Sequence, residues 1–394
     1  MRQQLISSFA DIAPGPAERD RPVVALFSGG LDSSFLLYRL KEAGLTNVHA
    51  VHVDLGATDE TDLAVVADRL CAQLHVIDGR REFADDYVRP AVAAQAVYLG
   101  THPISSSLSR PLIAKLAMEV ATDLDAWGVL HSANRSQNTL RRLNGALSLL
   151  GFTGRFGSPY EHDPTGREAK SRALEEIGLV HLSKRLTSID ANLWCREFES
   201  GALDDPEGHT VPEHLYHWST RSAGIADETV EIGFSQGVPV SLNGTRMPLP
   251  DLVGNLNRQA GTHGIGRYSG LEHLPGGQKV LEVREMPAAS LLLGSYRHLE
   301  TATLDAELIR EKMHLEQLWV REALEGRWFG HLRGASQSFI DFCATHVTGT
   351  VRWLLAPGMA TTESITADRP LYLRNREDWE RESQNNAVPP GRPA

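Results

Sequence analysis

The sequence predicts an α/β protein: a doubly wound parallel sheet followed by a second, α+β domain. Three observations carry that prediction. Residues 23–27 form a buried-type run that meets a Ser, Gly, Gly, Leu, Asp, Ser turn and then an apolar-periodic stretch, "VVALFSGGLDSSFLLYRL" in full. Apolar runs of strand length and helix-period stretches then alternate to about residue 180, as crossover units of a parallel sheet do. Past that point the alternation stops, and turn-rich segments such as "SQGVPVSLNGTRMPLP" separate short strands before two long helical runs.

Taken in order, residues 1–20 with "APGPAERD" read as a flexible leader. Residues 23–27 are the first strand, and 33 to about 43 the first helix, with Phe35, Leu36, Leu37 and Leu40 facing inward. "VHAVHVDLG" is a second strand, "ETDLAVVADRLCAQL" a helix and "HVID" a third strand. "SRPLIAKLAMEVATDL" is a helix opened by Ser109 and Pro111, and "WGVLHSAN" a further strand. The expected domains are 21–180 for the parallel sheet and 181–355 for the α+β part. The latter includes the helices "LDAELIREKMHLEQLWVREALEG" and "HLRGASQSFIDFCATHV". Residues 356–394 read as a polar, fraying tail.

A length of 394 residues suits two or three domains. The formal net charge of -11 argues against a nucleic-acid partner, because phosphate neutralisation favours a basic face. Three cysteines, Cys71, Cys195 and Cys343, lie far apart and form no CxxC pair, which makes a reducing compartment such as the cytoplasm the expectation. No stretch approaches the roughly 20 apolar residues that span a bilayer. The opening residues lack the apolar core of a secretory signal.

The chemistry starts at the glycine turn. Gly29 and Gly30 allow a sharp turn and close approach of the main chain to a ligand. The following helix offers unpaired N–H groups and a partial positive pole, which suits phosphate. Ser28, Ser33 and Ser34 add hydroxyls, and Asp32 can cap the helix or help to hold Mg²⁺. A Walker loop needs GxxxxGK[ST]; this turn has neither the spacing nor the lysine, which argues against γ-phosphoryl transfer.

The turn resembles the SGGxDS pyrophosphate loop of the N-type ATP pyrophosphatases, which cleave ATP between its α- and β-phosphates. The rest of the chain, from about Val23 to about Leu355, resembles the argininosuccinate synthase family. "SRPLIAK", "SIDANLW" followed by "GALDDP", "GVPVSLNG", "THGIGR", "TLDAELIREKMHLEQLW", "RWFGHLRGASQSFID" and "HVTGTVR" have family counterparts in the same order. The resemblance implies an adenine nucleotide alpha hydrolase-like sheet with a synthetase and oligomerisation domain, and ATP and Mg²⁺ as cofactors. It also implies a homo-oligomer, a tetramer in the family, although the segment after Leu355 matches the family's C-terminal arm poorly. The implied reaction forms AMP and pyrophosphate. The ureido oxygen of citrulline attacks the α-phosphate, and the amine of aspartate then displaces AMP.

Read across residue by residue, the resemblance puts Leu26, Phe27, Ser28, Gly29, Gly30, Leu31, Asp32, Ser33, Ser34, Val53, His131 and Ser132 around the nucleotide. Asp32, Ser33, Arg110, Asn138 and Arg142 are the expected catalytic residues. Ser107, Asn138, Arg142, Ser188 and Glu272 match positions that hold the acceptor. Several positions depart from the family. His102 and Arg284 stand for tyrosines, Glu197 for a serine, Ser132 for a glycine, Asn134 for a threonine and Thr139 for an aspartate. Losing a carboxylate that would grip an α-ammonium costs about 2–5 kcal/mol when nothing replaces it. A buried charge needs a partner, so Glu197 and Arg284 are expected to pair with each other or with a differently charged substrate. These departures point to a divergent ligase with a non-standard pair of small amino-acid-like substrates. Two alternatives stay open: authentic argininosuccinate synthesis, and a non-catalytic nucleotide-binding relative.

Overall fold

The computed structural model describes residues 5–12, 19–57, 62–182, 188–199, 203, 205–222 and 224–385. The first half runs β1 (Leu5–Ile6), β2 (Val23–Leu26), α1 (Leu31–Glu42), β3 (Val48–Asp54), α2 (Leu63–Arg69) and β4 (Gln73–Asp78). A continuous helical segment follows, made of α3 (Arg80–Glu82), a π-type turn (Phe83–Val88) and α4 (Arg89–Ala93). Next come the hairpin β5 (Val97–Tyr98) and β6 (His102–Pro103), α5 (Ser106–Asp123), β7 (Gly128–Leu130), α6 (Asn138–Leu149), β8 (Arg155–Gly157) and α7 (Arg167–Glu176).

Six of these strands form one sheet in the order β1-β8-β7-β2-β3-β4, and every pairing in it is parallel. β2 is fully buried, as a central parallel strand covered on both faces must be. The chain winds from β2 outward through β3 and β4, then returns to the other side of β2 as β7 and β8. The order therefore reverses between β2 and β7. A doubly wound sheet opens its ligand crevice outside the carboxyl ends of the strands at such a point.

The second half adds β9 (Ser188–Ala191), β10 (Arg196–Glu199), β11 (Glu228–Ser235), β12 (Val238–Leu242), β13 (Thr245–Arg246) and α8 (Leu249–Thr262). It continues with β14 (Arg267–His273), β15 (Lys279–Glu285), α9 (Pro287–Thr303), α10 (Ala306–Leu324) and α11 (His331–Ala344). It ends with β16 (Gly349–Ala356), β17 (Met359–Ala367) and α12 (Arg376–Asn385). Its strands make two sheets, β14-β15-β10-β9 and β13-β12-β11-β16-β17, with antiparallel pairing throughout. One large core joins α4 and α5 of the first half to α8, α9 and α10 of the second, through residues such as Val92, Leu108, Leu256, Leu292 and Trp319.

Four expectations are corrected. The leader is not uniformly loose: β1 pairs with β8, and Ile6 and Ile12 are buried in the core beside β2, because two isoleucines are worth more inside than in water. Helix α5 begins at Ser106, with Ser105 as N-cap, so Pro111 lies inside it rather than opening it. The helix expected over residues 60–74 shrinks to α2, because β4 claims residues from Gln73 onward. The domain end expected at 355 falls within β16, whose ladder with β17 runs to Ala367, and the tail carries α12. Residues 1–4, 13–18 and 386–394 of the expected leader and tail lie outside the described residues.

Candidate active site

The glycine turn sits at the carboxyl end of β2, beside the turn after β7, since Ala25 pairs with Leu130. Gly29 has φ 72°, the left-handed region where a Cβ is unwelcome. Gly30 is the N-cap of α1, and no side chain caps this helix. The hydroxyls instead brace the turn itself. The Ser28 amide donates to Ser33 Oγ at 3.3 Å, the two hydroxyl oxygens lie 3.1 Å apart, and Ser33 Oγ donates to the Gly30 carbonyl at 3.2 Å. Ser34 Oγ is fully buried and has no hydrogen-bond partner among the described residues. An uncapped helix start in a pre-bent loop is an anion cradle.

The neighbouring candidates play different parts. Leu26 and Phe27 are buried in the core, and the Phe27 carbonyl faces His52 Nδ1 at 3.0 Å, which leaves main chain as their means of contact. Leu31 and Val53 are half-buried, Val53 near the carboxyl end of β3. His131 is buried with both ring nitrogens engaged. Its Nδ1 accepts from the Ala133 amide at 3.3 Å, and its Nε2 faces Asn144 Oδ1 at 2.9 Å. Burial lowers its pKa to about 4, so it is a neutral brace for the turn that carries the half-buried Ser132. Asn134 Oδ1 accepts from the amide and hydroxyl of Ser136, at 2.9 and 2.6 Å, and so shapes the loop into α6. Thr139 is half-buried in the first turn of α6.

Asp32 does not cap α1. Its Oδ1 accepts from Lys170 Nζ at 2.7 Å, a lysine that α7 brings to the loop. Local sequence gives no sign of this, because "REAKSRAL" looks like an ordinary solvated helix.

A second cluster forms where α5 and α6 meet the sheet β14-β15-β10-β9. The period of two places Glu197 and Glu199 on one face of β10, Glu282 and Arg284 on β15, and Glu272 on β14. Arg284 stands opposite Glu197 in the ladder, and its Nε donates to Glu197 Oε2 at 2.8 Å. Its Nη2 reaches Glu272 Oε2 at 2.8 Å and also Glu282. Arg142 donates to Glu272 Oε1 at 2.7 Å, to Ser106 Oγ at 2.6 Å and to the Leu324 carbonyl at 3.2 Å. Asn138 Nδ2 donates to Glu272 Oε1 and to the His273 carbonyl, both at 2.9 Å. Arg142 is 2% exposed, so the two-arginine run at 141–142 is no solvated face.

His102, on β6, packs into the same cluster, and a Cβ on Gly270 would come within 2.9 Å of its Nδ1. Burial, with Arg284 nearby, lowers its pKa to about 4, so the ring is neutral at pH 7. Burial, then the Glu197 charge, raises Glu282 well above the ordinary carboxylate range. Burial also raises Glu197, and it lifts Glu199 to about 7. Burial opposes the Glu272 charge too, but Arg142, a bond from Glu282, and Arg284 together hold it below its ordinary value. Three buried polar atoms here have no partner among the described residues: Ser107 Oγ, Asn138 Oδ1 and Arg284 Nη1. Ser107, Arg142, Glu272, His102 and Arg284 line one tight pocket. Arg110, on α5, pairs with Asp190, the residue opposite Glu197 on β9, and Ser188 opens that strand opposite Glu199.

No group of three or more His, Cys, Asp or Glu among the described residues is arranged to hold a metal. No helix among them is long and apolar enough to cross a membrane. A separate open pocket of about 410 Å³, lined by Arg221, Gly266, Arg267, Tyr268 and Trp353, lies on the second half.

Comparison with known proteins places both halves. Residues 22–150 match the model of the arginosuccinate synthase N-terminal HUP domain, and residues 187–387 match that of the arginosuccinate synthase C-terminal domain. An argininosuccinate synthase of Symbiobacterium thermophilum is 37% identical over 357 residues, covering 89% of this chain and 88% of the relative. One of Rubrobacter xylanophilus is 34% identical, covering 92% and 90%, and one of Synechococcus sp. strain RCC307 is 35% identical, covering 93% and 92%. Two domain models in order, and identity of this level along nine-tenths of the chain, leave one assignment: the chain belongs to the argininosuccinate synthase family and is an ATP-dependent, AMP-forming carbon–nitrogen ligase of that type.

Proposed function

We propose that the chain condenses citrulline with aspartate at the expense of ATP, releasing AMP and pyrophosphate. The observation that carries the reading is the uncapped start of α1 in the left-handed Gly29 turn, at the reversal point of the sheet. It is supported by relatives that bear the name argininosuccinate synthase along nine-tenths of the chain.

The ureido oxygen of citrulline attacks the α-phosphorus, and the bond to the β-phosphate bridge breaks. The charge that grows on the leaving diphosphate falls on the free amides of α1, in a turn that the hydroxyls of Ser28 and Ser33 hold bent. Preorganised dipoles of this kind stabilise a transition state without reorganising. The adenylated carbon is then open to the amine, which displaces AMP and gives up a proton. Asn138, Arg142 and Glu272, locked together by direct bonds, hold the acceptor in line.

Mg²⁺ accompanies the nucleotide in this proposal. The loop offers it only Asp32, one of whose oxygens is already bound to Lys170. That fits a cation that arrives on the phosphates and keeps most of its waters, rather than one held in a protein cage. When bound, it would supply charge neutralisation to the phosphate oxygens. We also place the ligase in the cytoplasm as a homo-oligomer. The exposed Leu371, Leu373 and Trp379 around α12 support self-association.

A second reading is favoured by one observation, the Arg284–Glu197 pair inside the acceptor pocket, where guanidinium and carboxylate fill positions that are a tyrosine and a serine by family resemblance. Together with Thr139 it supports a different acceptor or amine. Pyrophosphate release by purified protein separates the two. Release with citrulline and aspartate at rates of at least about 1 s⁻¹ supports the first reading. Release only with other carbamoyl or carboxylate acceptors, or with other amines, supports the second.

A further inference from the structure

We propose that Lys170 is a pyrophosphate-binding residue: α7 delivers to the loop between β2 and α1 the cation that the loop's own sequence lacks. The proposal rests on the reading of that loop as the pyrophosphate cradle. Lys170 is only 7% exposed, and lysines are almost never buried unless something pairs with them. Two groups hold this one. Asp32 Oδ1 accepts from its Nζ at 2.7 Å, and the Tyr160 ring lies under the ammonium, 4.5 Å from Nζ to the centroid. Tyr160 is tied to the same residue, since its hydroxyl donates to the Asp32 carbonyl at 3.1 Å. The three residues therefore fix one ammonium beside the second residue of α1, within the first helical turn.

That placement has a consequence for charge. Amides and hydroxyls offer the leaving diphosphate only dipoles, and Mg²⁺ has a single loop carboxylate to share. A fixed ammonium, partly offset by its Asp32 partner, brings charged donors, needs no reorganisation, and acts most strongly where water is thin. Its three donors exceed the one carboxylate oxygen it serves. Asp32 then acts as a positioning residue for Lys170. The rival account is a staple in which the ion pair only fastens α7 to α1. It predicts lost stability and, once the freed Asp32 charge is removed too in Lys170→Met with Asp32→Asn, unchanged anion affinity.

The test is equilibrium dialysis of labelled inorganic pyrophosphate in metal-free buffer, with AMP binding measured beside it. Removing a charge-assisted hydrogen bond from a phosphate site lowers affinity about tenfold or more. We expect Lys170→Met and Lys170→Gln to show that drop and a shallower salt dependence, with AMP affinity unchanged. Lys170→Arg keeps the charge and recovers part of the affinity that the Met and Gln variants lose, the larger planar guanidinium fitting the Tyr160 site less well. Parent-like pyrophosphate affinity in a folded Met or Gln variant, or in the double variant, would overturn the proposal. Failure of the parent protein to bind pyrophosphate at all would overturn the reading of the loop as well.

Discussion

Arg284 and Glu197 face each other across the β15–β10 ladder, joined by a 2.8 Å bond from Nε to Oε2, with both side chains nearly sealed from solvent. Removing one partner strands the other charge. Glu197→Ala should cost about 3–5 kcal/mol in a denaturant titration. The double variant Glu197→Ser with Arg284→Tyr should cost less than the sum of the two singles by at least about 1 kcal/mol. Additive losses would show that the two residues do not act as a unit.

The same double variant bears on specificity. It removes both charges and restores the hydroxyl and phenol that the family resemblance places there. If the charged pair sets the acceptor, the variant's kcat/KM for citrulline rises relative to the parent while the KM for ATP stays put. An unchanged citrulline preference would take the pair out of acceptor selection.

Arg142 ties Glu272, Ser106 and the Leu324 carbonyl into one unit beside the proposed acceptor pocket. Arg142→Met should lower kcat/KM by about a hundredfold or more, the scale of a lost charge-stabilising donor. ATP affinity should be retained. Initial rates beside a nucleotide titration check this, and full activity in a destabilised protein would make Arg142 purely structural.

Glu199 should make the fold less stable as pH rises. Its carboxyl titrates near 7 in the folded chain, because burial disfavours the charge, against 4.5 for the unconstrained group. Between those values the folded chain holds more protons than the unfolded one, so stability falls with increasing pH. The fall amounts to at most about 3 kcal/mol. His102 and His131 pull the opposite way. Both are held neutral to about pH 4 and lose stability as pH drops below 6.5. Comparing Glu199→Gln with the parent at pH 5 and pH 8 isolates the carboxyl. The variant should lose less stability over that interval, and equal losses would contradict the assignment.

Gly29→Ala should damage the loop directly. At φ 72° an L-residue is strained by about 1–2 kcal/mol. Pyrophosphate release should fall at least tenfold, while stability falls by no more than that strain. A variant with parent-like turnover would show that the turn tolerates rearrangement.

Much of this was legible in the sequence because it is local. The run into Gly29 and Gly30, the alternation from β2 to β7, and the two helices α10 and α11 declare themselves by period and turn chemistry. The charge cost of burying Glu197 and Arg284 also foretold that each would need a partner, and the structure gives them each other. What stayed hidden depends on distant packing. The helix reads as opening at Ser109 and Pro111, yet α5 starts three residues earlier at Ser106, where Ser106, Ser107 and Ser109 are all buried. Lys170 looks like a surface residue until α7 folds against α1. Ile6 and Ile12 sit in a segment that reads as leader; pairing with β8 makes a strand of Leu5–Ile6 only, and Ile12 ends a 3-10 turn over Phe9–Ile12. The Glu199, Glu282 and Glu272 cluster appears only when β10, β15 and β14 are laid side by side in register.

The most direct measurement is the fate of doubly labelled ATP during turnover with citrulline and aspartate, one label on the α-phosphate and the other on the γ-phosphate. The uncapped turn at Gly29 predicts the α label in AMP and the γ label in pyrophosphate, in equal amounts. The α label in ADP with the γ label in orthophosphate would contradict it.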